Sequence, residues 1–303
     1  MHQKMRISEF ILTSFFKTIS LIPIRVQLSL GKYIGLLLFK YVKKRKAVVL
    51  WNLSKCFPKL NREEVHKTAK ENFIRLGQSF FELCNSYYRS EKSLRKLVSN
   101  LNEIEDEFNK IKDEKILILI PHTATSVDWV VRVPCFFMKL NGMHRPQDNS
   151  VMDKIITKGR SGFVDKIFEP NQGKLLLETL DEGESVLYAP DQDYGYKNSI
   201  FVNFFNHKAL TVIFPSILAK RTGCKTYLFT LTKNTNSTYR ARLRKIDLSG
   251  KNIEGDLSKI NKSIEEFATK YKSEYFWIHR RFKNRPEGEA SFYPDEALRD
   301  NWL

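Results

Sequence analysis

The stretch Lys115-Ile-Leu-Ile-Leu-Ile120, followed by Pro121 and His122, decides the fold of this chain. It is a continuous run of isoleucine and leucine, which is typical of a strand that is covered on both faces in a largely parallel sheet. Open α/β sheets bind their ligands beyond the carboxyl ends of the strands. We therefore expect the chemistry of this protein to lie around His122.

Other segments predict the elements that surround this strand. Two further strands are predicted by Ser185-Val-Leu-Tyr-Ala189, which ends in Pro190-Asp191, and by Thr226-Tyr-Leu-Phe-Thr-Leu-Thr232. Helical periodicity covers residues 61–110, 211–221 and 256–272. Asn61 is the predicted N-cap of the first of these segments, with Glu64 three positions on. The alternation predicts an α/β protein with a largely parallel central sheet flanked by helices.

Composition sets the limits of what the chain can be. Its 303 residues are 42% hydrophobic and include 22 Phe, which is enough for a sizeable core and excludes a disordered chain. The net charge of +17 indicates an anionic partner, namely nucleic acid, phospholipid head groups or an acidic protein. The four cysteines lie far apart, without a C-x-x-C motif or a nearby histidine pair, so neither a zinc site nor a disulfide framework is predicted.

The charge is concentrated at the amino terminus. Residues 1–60 hold twelve Lys or Arg and one acid, Glu9, and they are also the most apolar part of the chain. Their apolar runs are interrupted by Lys17, Arg25 and Lys32, whereas a spanning helix needs about 20 apolar residues. We predict a membrane-associated helical segment at 1–60, with a basic core helix as the alternative, and a catalytic domain at 61–303.

His122 has the most suggestive setting of the six histidines. It lies in Pro-His-Thr-Ala-Thr-Ser-Val-Asp-Trp (121–129), where Asp128 is the nearby acid. A histidine at a strand end can act as a general base when a carboxylate fixes its orientation. The alternative is a loop histidine beside an N-capping Asp128. Ser126 is a weak candidate for a nucleophile because no G-x-S-x-G motif surrounds it.

Three other clusters carry polar groups. Arg145, Lys158 and Arg160 could form a fork for phosphate, with a solvated basic loop as the alternative. Asp191 and Asp193 stand two apart beside Gly195, and we interpret them as turn residues rather than metal ligands. The four cations between Arg280 and Arg285 would suit RNA or membrane phosphates, but no nucleic-acid-binding motif accompanies them.

The chain closely resembles the bacterial lipid A late acyltransferases, a family of the lysophospholipid acyltransferase superfamily, over nearly its whole length. The resemblance rests on the basic apolar amino terminus, the histidine with a following acid, and three motifs: Asn52-Leu-Ser-Lys-Cys-Phe-Pro58, Tyr188-Ala-Pro-Asp-Gln-Asp-Tyr-Gly195 and Trp277-Ile-His-Arg-Arg-Phe-Lys283 with Arg285-Pro-Glu-Gly288. It implies transfer of a fatty acyl chain from acyl-[acyl carrier protein] to a hydroxyacyl chain of an anionic glycolipid, the lipid A precursor. The implied location is the cytoplasmic face of the inner membrane. We expect no cofactor, no metal and no nucleic-acid partner.

The resemblance also implies roles for particular residues. His122 would be the catalytic base and Asp128 its orienting acid, while Arg145, Asn149 and Arg160 would bind substrate phosphate or stabilise an oxyanion. The family places its acid after four intervening residues, but Val127 stands there and Asp128 follows one residue later. We predict that a one-residue bulge lets Asp128 reach His122. The alternatives are a catalytically silent relative that binds glycolipid, and an acyltransferase that acts on a different glycolipid.

Overall fold

The computed structural model describes residues 2–298, so the last five residues of the predicted catalytic domain lie outside it. The first part of the chain is helical. Its helices are α1 (His2–Leu21), α2 (Ile24–Tyr41), α3 (Lys43–Cys56), α4 (Arg62–Tyr88), α5 (Glu91–Arg95) and α6 (Leu101–Asn109). Asn61 caps α4 in a capping box with Glu64, as the sequence predicts, because each side chain accepts the other residue's backbone N–H.

Strands and helices alternate in the rest of the chain. In order they are β1 (Ile116–Leu119), α7 (Val127–Arg132), β2 (Asn141–Met143), α8 (Ser150–Arg160), β3 (Ile167–Phe168), α9 (Gly173–Asp181), β4 (Val186–Tyr188), β5 (Ser199–Phe204), β6 (His207–Val212), α10 (Phe214–Thr222), β7 (Lys225–Lys233), β8 (Tyr239–Ile246) and α11 (Ile253–Lys270). Short 3₁₀ turns occupy Pro134–Phe136 and Asp295–Leu298.

The central sheet has the strand order β3-β2-β4-β1-β7-β8. All neighbours pair in parallel except β7 and β8, which are antiparallel. The predicted α/β class with a mostly parallel sheet is therefore confirmed. The predicted helix at 211–221 begins too early, because residues up to Val212 belong to β6, which pairs with β5 in a separate hairpin.

Helices cover both faces of the sheet. On one side, which we call the α7 face, Ile118 and Leu187 pack with Trp129 of α7. On the other, the α11 face, Leu119 and Val186 pack with Ile260 of α11, together with apolar residues of α3, α9 and α10. All four residues of β1 are buried, which explains its uninterrupted apolar sequence.

The amino-terminal helices are fixed to α4. Gly77 contacts α2 so closely that a Cβ there would lie 2.3 Å from the Gly31 carbonyl oxygen, a position that only glycine fits. Within residues 2–298 no single helix has the length and hydropathy of a membrane-spanning candidate; Ile7–Leu21 and Ile24–Tyr41 pass that test only together, and they are bent by 116°. The membrane association predicted for residues 1–60, and the division at residue 60, stay predictions.

Candidate active site

His122 and Asp191 meet at the carboxyl edge of the sheet. His122 follows β1 and Asp191 follows β4, and these strands are parallel neighbours, so their carboxyl ends lie side by side. The Nδ1 atom of His122 lies 2.6 Å from Oδ1 of Asp191. Oδ2 of Asp191 accepts the backbone N–H of His122 at 2.9 Å. One carboxylate therefore holds both the ring and the main chain of the histidine.

This contact determines which ring nitrogen carries the proton. An ionised carboxylate only accepts hydrogen bonds, so Nδ1 of His122 is the protonated nitrogen and Nε2 is the basic one. Burial acts to raise the pKa of Asp191, but its charge interaction and hydrogen bonds with His122 outweigh burial and hold the pKa below its usual range. The Asp191 side chain is 1% exposed, whereas that of His122 is 21% exposed and lines a large cavity.

Asp128 does not make the contact that the sequence predicts. Its carboxylate binds Arg160, with Oδ1 2.7 Å from Nε and Oδ2 3.2 Å from an Nη atom. Helix α7 begins at Val127, directly after the loop that carries His122, and in its first turn Asp128 is directed to α8 rather than back to the histidine. The predicted pairing of Asp128 with His122 is therefore wrong, and the acid that holds His122 is Asp191.

Arg160 and His144 belong to one chain of polar contacts at the cavity wall. An Nη atom of Arg160 lies 2.6 Å from Nδ1 of His144, and Nε2 of His144 lies 3.0 Å from Oδ1 of Asp153. Arginine is always a donor, so the His144 proton is on Nε2 and points to Asp153. These contacts and Asp128 fix the guanidinium of Arg160, which lines the cavity together with Arg145.

Asn149 lies elsewhere than the sequence predicts. Its side-chain oxygen accepts the N–H groups of Val151 and Met152, so it is the N-cap of α8. It is not among the residues that line the cavity. The structure therefore brings Arg145 and Arg160 together with His122 at one cavity, and gives Asn149 a local structural contact.

The loop after His122 is held by a buried polar network. Glu82 of α4 accepts the backbone N–H of Ser126 at 2.9 Å and pairs with Lys233 of β7, whose Nζ lies 3.2 Å from the carboxylate. Both side chains are less than 5% exposed. The Glu274 backbone accepts the N–H of Ala124. Ser126 is therefore bound to this network through its main chain, which is a structural contact.

Residues of the carboxyl-terminal motif are hydrogen-bonded to the loops and strands around the same site. The Phe276 N–H donates to the carbonyl of His122 at 3.2 Å. Arg281 is buried and donates to the Leu210 carbonyl at 2.6 Å and to Thr211 Oγ1 at 2.8 Å. His279 accepts the N–H of Asp193 through Nε2 at 3.1 Å, and burial lowers the pKa of His279 to about 4. Arg285 binds the Lys208 carbonyl, and the Arg280 guanidinium lies over the Tyr293 ring. Three of the four cations that suggested RNA or membrane phosphates are therefore engaged in internal contacts.

Asp193 has the turn role that the sequence predicts. Its Oδ1 accepts the N–H of Gly195 at 3.0 Å and the amide of Asn284 at 2.7 Å. Asp191 was missed as a site residue, although a signal existed: two of the three predicted strands are followed by proline and a polar residue, Pro121-His122 and Pro190-Asp191. Among residues 2–298, no group of three or more His, Cys, Asp or Glu side chains is arranged to hold a metal ion.

The cavity beside His122 is large and mixed in character. Its volume is about 1400 Å³, and apolar side chains of both sheet faces line it. Five cations also border it: Arg145, Arg160, Lys174, Lys197 and Arg221. A histidine with an accepting Nε2 beside an apolar space with a basic rim suits proton abstraction from a substrate that carries both apolar and anionic groups.

Comparison with known proteins agrees with this class of reaction and identifies the chain as an acyltransferase. The family model described as bacterial lipid A biosynthesis acyltransferase matches residues 2–284. The protein belongs to that family.

Three curated relatives show how broad the similarity is. The lipid A biosynthesis palmitoleoyltransferase of Escherichia coli K12 is 29% identical over 276 residues, which is 90% of both chains. The lauroyltransferase of the same organism is 28% identical over 280 residues, again 90% of both. Its myristoyltransferase is 27% identical over 280 residues, 89% of this chain and 83% of the relative. The acyltransferase activity in lipid A biosynthesis that the sequence predicts is thereby confirmed.

Proposed function

We propose that this protein transfers a fatty acyl chain from acyl-[acyl carrier protein] to a hydroxyacyl chain of a lipid A precursor, at the cytoplasmic face of the inner membrane. The family supports acyl transfer in lipid A biosynthesis. The observation that carries the chemistry is the contact of 2.6 Å between His122 and Asp191 at the edge of the cavity. The experiment below tests the donor and the acceptor.

His122 is the general base of the proposed reaction. Its Nε2 takes the proton of the acceptor hydroxyl, and the oxygen attacks the thioester carbonyl carbon of the donor. A carbon–oxygen bond forms, the carbon–sulfur bond breaks, and the imidazolium returns its proton to the leaving thiolate. Asp191 stabilises the imidazolium through Nδ1, so the charge that develops on the ring meets a carboxylate already in place. A positioned base of this kind contributes about 10²–10⁴-fold to the rate.

Arg145 and Arg160 bind the phosphorylated acceptor in this proposal. Guanidinium groups match phosphate oxygens bidentately, and both side chains line the cavity that His122 faces. Asp128 acts through Arg160, because its carboxylate fixes the guanidinium plane. Asn149 supports the same surface from the N-cap of α8.

The amino-terminal helices are the proposed membrane-binding surface. Of the large apolar residues that are exposed in the described part of the chain, most lie between Ile7 and Tyr41, including Phe10 at 73% and Leu21 at 81%. Exposed apolar patches of this kind mark interaction surfaces, and the cations among them suit anionic head groups. The net charge of +17 also suits an acidic carrier protein as donor.

The proposal is tested with the purified protein, an acyl-carrier thioester and an underacylated lipid A precursor, and the product is identified by mass spectrometry. We expect the acceptor mass to rise by one acyl chain and the free carrier thiol to appear in equal amount. Consumption of no thioester would favour the silent relative that only binds glycolipid. Thioester transfer to another hydroxylated glycolipid, but not to this precursor, would favour the alternative acceptor.

A further inference from the structure

The cavity beside His122 extends over both faces of the central sheet. Neighbouring residues of one strand point to opposite faces, and in β4 Leu187 packs on the α7 face while Tyr188 packs on the α11 face. Both residues line the cavity, as do Gly142 and Met143 of β2. The space therefore wraps around the carboxyl edge of the sheet at β2 and β4, next to His122.

The part on the α7 face, which we call the α7 branch, has apolar walls. Val127 and Val131 of α7 line it, and Val164 lies opposite, beyond α8. Gly142 is paired with Leu187 in the sheet, so it lies on this face. A Cβ at Gly142 would have only the Val164 side chain near it, at 3.8 Å, so the strand leaves this space open.

The part on the α11 face, the α10 branch, is apolar as well. Leu177 of α9, Phe214 and Ile217 of α10 and Tyr188 of β4 line it. Tyr188 and Phe214 contact each other, with ring centroids 5.6 Å apart. The apolar lining of the cavity is thus divided between two sets of helices that the sheet edge separates.

The size of the cavity agrees with two occupants. A pocket for one drug-sized ligand measures about 300–1,000 Å³, and this cavity measures about 1400 Å³. The proposed reaction joins two hydrocarbon-bearing substrates, an acyl donor and a hydroxyacyl acceptor, at one histidine. His122 lines the same cavity, at the carboxyl end of β1 beside β4.

The surroundings of the branches indicate which chain each one takes. Arg160 ends α8 and is bound to Asp128 of α7, so the proposed phosphate site lies at the α7 branch. Helix α8 also packs on α1, where Phe16 and Ile155 share a buried cluster, and the outer side of α1 exposes Phe10 and Phe15. A lipid that comes from a bilayer bound by α1 therefore reaches the α7 branch first. The α10 branch is bordered by Lys174 and Arg221, which suit an acidic soluble carrier.

Building on the proposed function, we propose that the two branches are separate hydrocarbon subsites, in which the donor acyl chain occupies the α10 branch and the acceptor chain occupies the α7 branch. The residues that set the length of the transferred chain are then Leu177 and Ile217. Val131 and Val164 contact the acceptor chain instead.

Two matched substitutions test this assignment, one in each branch. Ile217→Phe narrows the α10 branch and Val131→Phe narrows the α7 branch, both with an apolar ring at a half-buried helical position. Each variant, and the parent, is assayed with a series of saturated acyl-carrier thioesters of increasing chain length and with varied acceptor. Leu177→Phe is a second variant for the α10 branch in case Ile217→Phe unfolds, and thermal unfolding is recorded for all four proteins.

We expect Ile217→Phe to shift the preferred donor to shorter chains, with a loss of about tenfold or more in kcat/KM for the longest donor, because one methylene in an apolar pocket is worth about 10–200-fold. Its KM for the acceptor stays at the parent value. Val131→Phe raises the KM for the acceptor and leaves the donor profile unchanged. The reverse pattern, an identical shift in both variants, or an unchanged donor profile in folded Ile217→Phe and Leu177→Phe would overturn the assignment. A parent protein that transfers no chain from any donor would instead refute the proposed function.

Discussion

The Asp191 carboxylate contacts His122 twice, through ring Nδ1 at 2.6 Å and through the backbone nitrogen at 2.9 Å. The two residues are 69 positions apart in sequence and meet because β1 and β4 are parallel neighbours that end at the same edge. The acid nearest in sequence, Asp128, is bound to Arg160 instead. One carboxylate, Asp191, therefore orients the histidine, and another, Asp128, fixes Arg160, the arginine that we propose binds phosphate.

His122→Ala is expected to lower kcat about 10²–10⁴-fold, because the hydroxyl then loses its general base. His207→Ala is the control, since His207 lies on the β6 hairpin and contacts the Lys55 carbonyl away from the cavity. Steady-state transfer from acyl-carrier thioester measures both variants. Equal rates for His122→Ala and the parent would contradict the assigned role.

Arg160→Lys is expected to raise the KM for a phosphorylated acceptor about tenfold, since an ammonium group cannot reproduce a bidentate contact worth about 1.5–3 kcal/mol. Asp128→Asn should have an effect in the same direction, because the amide leaves the guanidinium less firmly held. The comparison uses a dephosphorylated acceptor, for which both variants should differ little from the parent. An equal loss with and without phosphate would show that Arg160 is not the phosphate ligand.

Glu82→Gln is expected to lower the free energy of unfolding by about 3–5 kcal/mol, because it leaves the buried Lys233 ammonium without its counter-charge. Glu103→Gln is the matched control, since Glu103 pairs with Arg240 at the surface and such pairs contribute about 0–1 kcal/mol. Denaturant unfolding measures both. The double variant Glu82→Gln with Lys233→Met should regain part of the loss, and equal destabilisation in the two single variants would contradict the buried-pair argument.

His279 predicts a pH dependence of stability. Burial lowers its pKa from 6.5 to about 4, so the unfolded chain binds the extra proton first as the pH falls. The free energy of unfolding therefore has its full value above about pH 6.5. It falls progressively between about pH 6.5 and pH 4, by up to about 3 kcal/mol in total. Urea unfolding at pH 7 and pH 4.5 should show a smaller difference for His279→Gln than for the parent. The same difference in both proteins would remove His279 as the cause.

Much of the fold follows from local sequence. The apolar run of β1, the capping box of α4 and the stripe of α11 are periodic or local signals, and the elements lie where they predict. Strands β2 and β3 were not predicted, because segments of two or three residues carry no period. The β5 and β6 hairpin was missed as well, and part of it was interpreted as helix.

Only part of the site could be predicted, and the reason is physical. His122 is recognisable from its position after a buried strand, but its partner comes from a different strand, and strand order cannot be read from one sequence. Asp128 is close to His122 in sequence but does not contact it, because α7 begins between the two residues. Asn149 is predicted only from the resemblance, as part of the segment that follows His122, and its side chain instead caps α8.

The central claim is that Asp191 orients His122, and the pH–rate profile of Asp191→Asn tests it most directly, with Asp128→Asn measured beside it. We predict that Asp191→Asn lowers kcat about 10²–10⁴-fold and changes the pH dependence of the residual rate, since the carboxylate no longer fixes the tautomer. Asp128→Asn should act mainly on the KM for the phosphorylated acceptor and keep the parent profile. An unchanged kcat and profile in folded Asp191→Asn, with the profile altered in Asp128→Asn, would contradict the account.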